Sequence, residues 1–429
     1  MATRRSFLAG AGAGLLSAAF RGDAIVRAAG AGGDAAQRQA CELAADETYW
    51  GQIQRCFDID RTIINFNNGG VCPTPTHVLE QMVRDLRFTN ESPVQHMWRV
   101  LEPRVESVRR DLAREFGCDP EELAVTRNAS EAMESLIFGI DLARGDEVVI
   151  TDQNYPRMIT SWEQRARRDG IVVKKISFPI PLPSPAVFVA AIEAAITPRT
   201  RAIEFPQITN LSGQILPVRD VVRMARPKGI PVFIDGAHAF AHFPFTRDEL
   251  DCDFFGCSLH KWLLAPIGTG FLYVRKEKIK SIWPMMGADP PLDHDIRKFE
   301  QIGTHPAANH NAISVAVAFH RSIGVDRKAA RLRYLRDRWA KPLLEASPRV
   351  KIWTPIADGS ASCGIVLVQI EGIDTGKLVG YLFNEHRIVT SSFKHTQFEG
   401  ARITPNIYSS VEEVDLFADA MKHAIAKGV

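Results

Sequence analysis

The sequence predicts an α/β protein, with a large domain on a mostly parallel seven-stranded sheet and a smaller C-terminal α+β domain. Two observations predict it. Seven short apolar runs recur at residues 123–125, 148–151, 171–176, 201–205, 232–235, 254–257 and 270–274, each of strand length. Segments with helical spacing lie between most of them, at 131–141, 158–168, 186–195 and 218–226, and strands that alternate with helices build parallel sheets. Past residue 320 the pattern changes to a long basic helix at 328–344 and an alternating strand at 363–370. That change marks the second domain.

Ahead of the first strand, helical spacing runs from His77 to Phe116, interrupted near Ser92-Pro93 and Pro103. Before it stands Asn65-Phe66-Asn67-Asn68-Gly69-Gly70, a turn that places side-chain amides beside backbone without Cβ atoms. Asn68 is the amide we select there as a substrate contact. The first 30 residues read differently. Arg4 and Arg5 precede a Gly- and Ala-rich apolar stretch from Ala9 to Phe20 and a small-residue exit at Val26-Arg27-Ala28. A basic start, a short apolar stretch and a small-residue exit define a signal peptide, and paired arginines specify the twin-arginine route. The same residues would also occur in a loose basic terminus. The expected division is a leader at 1–30, an N-terminal segment at 31–70, a large domain at 71–320 and a small domain at 321–429, with export to the periplasm.

Composition narrows the function classes. The chain has 429 residues, 45% of them apolar, and a formal net charge of +2. Bases and acids are nearly balanced, so no electrostatic footprint for nucleic acid stands out. Past the leader no run approaches the ~20 apolar residues of a membrane span, so no stable membrane anchor is expected. The seven cysteines are odd in number and scattered, without a CxxC pair. They suit neither a disulfide framework nor a zinc ribbon.

Three short segments carry chemistry. Thr126-Arg127-Asn128-Ala129-Ser130-Glu131 follows a strand and opens a helix. Asn128 is its N-cap, with Glu131 reaching back, and the free N–H groups of a helix start suit phosphate. A well-capped helix without ligand would look the same. Asp235, in Phe233-Ile234-Asp235-Gly236-Ala237-His238, ends an apolar strand, where open α/β sheets keep their ligands. Strand-end aspartates also serve ordinary turns. Lys261, in Ser258-Leu259-His260-Lys261-Trp262, lies just past another apolar run. A lysine there becomes a carbonyl-capturing nucleophile when its pKa is depressed, though most lysines are solvated. Ser258 and His260 add groups able to bond phosphate, and Trp262 a large apolar surface.

Taken in order and at this spacing, T-x-N-A-S-E-A, D-x-A-H-A and S-x-H-K-W resemble the class V aminotransferase family of fold-type I pyridoxal 5′-phosphate (PLP) enzymes, over about residues 60 to 425. The family includes cysteine desulfurases, kynureninases and isopenicillin N epimerase, and the likeness is greatest to the epimerase-like branch. Exported members of that branch, such as a periplasmic pyoverdine-tailoring enzyme, parallel the leader here. The resemblance implies that PLP is the cofactor and Lys261 its Schiff-base lysine, with Asp235 on the ring nitrogen and His238 near O3′. Asn128, Ala129, Ser130, Ser258 and His260 would surround the phosphate. Tyr155 would lie against the ring face and Asn210 near O3′ and the substrate. Thr304, after Gly303, would reach the phosphate of a neighbouring subunit, which implies a homodimer with shared active sites. Arg402 would grip a substrate α-carboxylate, a job its fork of donors suits.

One departure is informative. Cysteine desulfurases carry a nucleophilic cysteine on the loop before that arginine, whereas residues 391–398 here, Ser-Ser-Phe-Lys-His-Thr-Gln-Phe, contain none. Cys363 falls in an apolar strand, where a buried structural thiol is expected. Lys394 and His395 would instead read a second polar group of the substrate, or simply be exposed. The expected substrate is an amino acid or an amine-bearing peptide, and the expected chemistry is transamination, with epimerisation or C–S and β-elimination as alternatives. Two readings from other classes remain. One is a binding protein that has lost catalysis. The other is a metal enzyme, because His238 and His242 are four apart and His260, His294, His305 and His310 add imidazoles.

Overall fold

The structure is a computed structural model that describes residues 40–429. The leader with Arg4 and Arg5, and the first residues of the segment after it, lie outside the described residues. Seven strands form one sheet: β1 (Leu123–Thr126), β2 (Glu147–Thr151), β3 (Val172–Ile176), β4 (Thr200–Pro206), β5 (Val232–Asp235), β6 (Phe254–Ser258) and β7 (Gly270–Val274). Their spatial order is β1-β7-β6-β5-β4-β2-β3. Every neighbouring pair from β3 to β6 is parallel, and β7 runs antiparallel to both β6 and β1.

The interior strands read as largely apolar runs because both sheet faces are covered, with the buried Glu204 interrupting β4. Ile203, Phe205 and Ile234 point into one core, with Leu112, Phe116 and Ile313 from covering helices. Val148, Ile150, Ala202 and Phe233 point into the other, beneath Met133, Leu136 and Trp162. The edge strand β3 is only partly buried and carries Lys174 and Lys175, charges that discourage pairing with another strand. The helical stretch ahead of β1 resolves into Thr76–Glu91, a π-helical turn at Val94–Leu101 and Val105–Phe116. Its breaks coincide with Pro93 and Pro103, since proline removes a backbone donor.

A second sheet follows, from β8 (Val350–Ile352), β9 (Val366–Ile370), β10 (Ser391–Lys394) and β11 (Glu399–Ile403), in the order β10-β11-β9-β8. All its pairings are antiparallel. Leu335, Trp339 and Phe417, from the Val325–Ala346 and Val411–Lys427 helices, close its core. The stretch before Arg402, read from sequence as a loop, is therefore one arm of a β-hairpin.

The N-terminal lead-in joins both parts. The Glu47–Gln54 helix buries Trp50 and Ile53 in the large core. Ile64–Asn65 pairs in parallel with Ile388–Val389, and Phe66 enters the core of the small sheet. The turn after β4 makes a further bridge. Ser212 O accepts from Thr354 Oγ1 at 2.6 Å, and Ile215 N donates to Ala361 O at 2.8 Å. Gly213 sits in this turn at φ +70°, where a Cβ would meet Ile365 O at 2.3 Å. Gly213→Ala should lower stability by about 1–3 kcal/mol, read as a drop in the thermal midpoint. An unchanged midpoint would mean that the two sheets do not dock through this turn.

Candidate active site

The carboxyl ends of the parallel strands converge on a cavity of about 190 Å³, the place where open α/β sheets bind ligands. Asn128, Ala129, Ser130, Tyr155, Asn210, Asp235, His238, Ser258, His260 and Lys261 all line it, with Gly70, Met158 and Ile208. The predicted residues among these, from five different chain segments, thus meet where the sequence motifs placed them only by likeness.

At the helix end, Asn128 Oδ1 accepts from Glu131 N at 2.8 Å, so Asn128 caps the Ala129–Gly139 helix. Glu131 reaches back one residue further than a capping box requires, accepting from Arg127 N at 2.6 Å and pairing with its guanidinium. Ala129 N donates to Ser258 Oγ at 2.9 Å. That bond ties the helix start to the end of β6 and leaves the Ser258 hydroxyl hydrogen free for a ligand. His260 Nδ1 lies 3.2 Å from Thr269 O, which assigns Nδ1 as donor and leaves Nε2 as the other ring atom.

Asp235 is buried, and its Oδ1 accepts from Ala237 N at 2.9 Å. Burial pushes its carboxyl above the ordinary range. Beside it on the same sheet face, Glu204 is fully buried, with Oε2 accepting from Trp162 Nε1 at 2.9 Å. Burial and then the Asp235 charge push Glu204 up to about 8. No sequence motif marked Glu204. Lys261 Nζ lies 3.1 Å from His238 Nε2. Desolvation lowers the Lys261 pKa to about 8, against the opposing pull of Asp235.

Arg402, on β11 of the small sheet, is not itself part of that lining but stands directly behind it, against Asn210. Its guanidinium donates to Asn210 O at 2.9 Å and to Asn67 Oδ1 at 3.0 Å, and lies 4.7 Å from the centre of the Phe393 ring. Its Nε is buried without a hydrogen-bond partner, and among the described residues no carboxylate pairs with it. Burial lowers its pKa to about 10. A Cβ on Gly69 would stand 3.0 Å from Arg402 Cζ, so glycine there lets the guanidinium lie against the turn.

Four predicted residues sit elsewhere. Asn68 faces inward: its Nδ2 donates to Asn65 O and Thr404 O at 2.8 and 2.9 Å, and its Oδ1 accepts from Tyr408. Its amide is spent on holding the turn, and the amide that meets Arg402 belongs to Asn67. Lys394 ends β10 with its side chain 87% exposed, near only Glu399 at 3.9 Å. His395 stacks on Phe398 and faces Asp152 at 3.6 Å. Neither lines the cavity. Thr304 is exposed, away from this chain's own cavity. The four-residue spacing of His238 and His242 does not make a metal pair either. His242 Nδ1 meets His238 O at 2.8 Å, and its Nε2 accepts from Gly364 N at 2.9 Å, so both ring nitrogens are engaged.

The residues present fit PLP. A desolvated amine is available to its aldehyde. The Asp235 carboxylate can hold a ring N–H, and Ser130 N and the Ser258 hydroxyl offer donors to its phosphate, with His260 beside them on the same lining. Fold and cavity together define a PLP-dependent enzyme of fold type I. The comparisons agree. The model of the family described as aminotransferase class-V matches residues 64–417. The isopenicillin N epimerase of Streptomyces clavuligerus is 30% identical over 390 residues, 87% of this chain and 97% of the relative. Among solved structures, an apo cysteine desulfurase from Thermococcus onnurineus superposes with a TM-score of 0.77 at 21% identity, over 88% of this chain and 98% of the other. A variant of C-DES with glycine covalently linked to its PLP superposes with a TM-score of 0.73 at 20% identity, over 84% and 97%. This chain belongs to the aminotransferase class-V family.

The depressed lysine has a measurable consequence. Only the neutral amine attacks a carbonyl, and the neutral fraction grows as pH rises through the pKa. Capture of PLP by apo-protein, followed as the growth of yellow absorbance, should therefore rise with pH around a midpoint of about 8. A midpoint at the ordinary lysine value of 10.5 would show that the amine is solvated.

Proposed function

We propose that the chain acts on an α-amino acid, or on the amino-acid end of a peptide, by taking the proton from Cα and returning one to the same carbon, an epimerisation. The observation that carries the substrate class is Arg402. It is a buried guanidinium with an unpartnered Nε and, among the described residues, no carboxylate of its own, and a substrate carboxylate would supply the missing anion. The relation to isopenicillin N epimerase over nearly the whole of that protein supports the choice of outcome over the transamination expected from family breadth. Transamination remains the second reading. Lys261, the one lysine among the described residues that line the cavity, could deliver a proton to either end of a proton shift without help from another base.

When bound, PLP supplies an electron sink for charge left at the α-carbon. The protein does the rest. Asp235 would hold the ring nitrogen protonated. Ala129, Ser130, Ser258 and His260 would seat the phosphate at the helix start. Arg402 would fix the carboxylate and so the orientation of the Cα–H bond. Lys261, released when substrate takes its place, would move the proton at Cα. Tyr155, on a different strand end and lining the same cavity, is the candidate to return a proton from another direction. Desulfuration by a protein thiol lacks its nucleophile here. Residues 391–398 hold no cysteine, and burial pushes the fully buried Cys363 thiol up to about 11.

The test is incubation of holoenzyme with amino acids and amine-bearing peptides in D₂O. We expect the inverted epimer carrying one deuterium at Cα and no 2-oxo acid. Accumulation of 2-oxo acid would select transamination, and absence of exchange with every substrate would sink Cα chemistry. Arg402→Ala should raise KM at least tenfold, the ~1.4 kcal/mol of one charge-assisted contact. Export by the twin-arginine route to the periplasm, as a homodimer sharing its sites, is also proposed. It is supported by Arg4 and Arg5 and by exposed Trp98, Ile267, Trp283 and Thr304. Replacing both arginines by lysine should strand the protein in the cytoplasm, and purified protein should sediment at twice the mass of its own chain as read by mass spectrometry. Normal export, or sedimentation as one chain, would refute the corresponding half.

A further inference from the structure

His238 touches Lys261, and what stands behind His238 decides which of its nitrogens carries the proton. A neutral imidazole has one donor and one acceptor, and an indole N–H can only donate. Trp262 Nε1 lies 3.4 Å from His238 Nδ1, so Nδ1 is the acceptor. The ring proton is then on Nε2, 3.1 Å from Lys261 Nζ. An imidazolium would set a second N–H against the indole N–H. Protonation on Nδ1 alone would leave that buried indole donor unbonded.

The indole is held in place from behind. Trp262 is fully buried and stacks on His242, with ring centroids 3.6 Å apart and planes 1° from parallel. His242 is itself pinned between His238 O at 2.8 Å and Gly364 N at 2.9 Å. A Cβ on Gly364 would meet His242 Nε2 at 3.1 Å and the Trp262 ring at 3.4 Å. The backbone O of Trp262 accepts from the buried Lys328. The stack thus has contacts with both parts of the molecule, since Gly364 leads into β9 of the small sheet.

We propose that Trp262 is a positioning residue: its indole N–H holds His238 with the ring proton on Nε2, directed at Lys261 and the cavity. Lys261 Nζ is consequently the acceptor of that bond, which favours its neutral, carbonyl-capturing form. With the cofactor bound, the same N–H would remain directed into the cavity, available as a donor. Lys261, Asp235, Arg402, His242 and His260 are the titratable groups nearest His238, and Lys328 lies behind Trp262. The inference rests on the cavity being the PLP site, and its test needs no turnover or known substrate.

Neutron diffraction from crystals of the wild-type holoenzyme reads the proton directly. Deuterium is expected on His238 Nε2 and absent from Nδ1, and deuterium on Nδ1, alone or with Nε2, would overturn the proposal. A second experiment separates packing from hydrogen bonding. Replacing Trp262 by its benzothiophene isostere keeps the ring shape and removes the N–H. His238 can then accept from a Lys261 ammonium, so the pH midpoint of PLP capture by apo-protein should move up by about one unit and capture at neutral pH should slow about tenfold. Both changes are expected at an unchanged thermal midpoint. A midpoint of capture that stays where it was would overturn the proposal even if capture itself slowed.

Discussion

The site depends on buried charge gathered at the strand ends and left unbalanced. Lys261 and Arg402 are cationic groups drawn out of water; Asp235 lies near Lys261, and among the described residues no carboxylate pairs with Arg402. Burying a cation without a partner costs several kcal/mol, so the lysine answers by shedding its proton more readily. The arginine keeps its charge and meets only neutral oxygens of Asn210 and Asn67. An anionic phosphate and a substrate carboxylate would complete the balance.

That balance is set by two sheets at once. The large sheet presents Asp235 and Lys261 from β5 and from the turn after β6. The small sheet presents Arg402 from β11, and the 65–70 turn closes over it with Asn67 and Gly69. The turn carrying Asn210 joins them, since its backbone oxygen takes the arginine while Gly213 packs on Ile365 of the small part. A shift of either sheet would move the guanidinium relative to the lysine, and catalysis by orientation tolerates little of that. The His242–Trp262 stack adds a second link of the same kind through Gly364.

Likeness of fold does not choose a reaction. Solved neighbours at about one-fifth identity include desulfurases, yet the hairpin before Arg402 has no thiol to receive sulfur. The family's common part, an amine, a carboxylate and a phosphate seat, activates Cα. What happens next depends on which groups can carry a proton at that carbon; Lys261 and, on a separate segment, Tyr155 line the cavity, and the proposed epimerisation would give that work to them.

The sequence by itself determined much of this. Apolar runs of strand length separated by helical spacing specify a covered parallel sheet, because only buried strands tolerate unbroken apolar sequence. The cap at Asn128, Asp235 at a strand end and Lys261 after a strand were legible for the same local reason, as each is fixed by its place on one element. What tertiary structure alone decided were relations between elements. Asn67 and Asn68 are adjacent and chemically alike, but one meets Arg402 and the other is turned inward to Thr404 and Tyr408. Both asparagines stand where the chain enters a turn, and nothing local says which way the core lies. Lys394 and His395 looked placed to read substrate, but pairing of β10 with β11 carries them away from the cavity. Glu204 reads as one polar residue in a strand until its neighbours on the sheet are known. The proton on His238 is the furthest of these from sequence, since it follows from an indole that folding brings to the imidazole's other nitrogen.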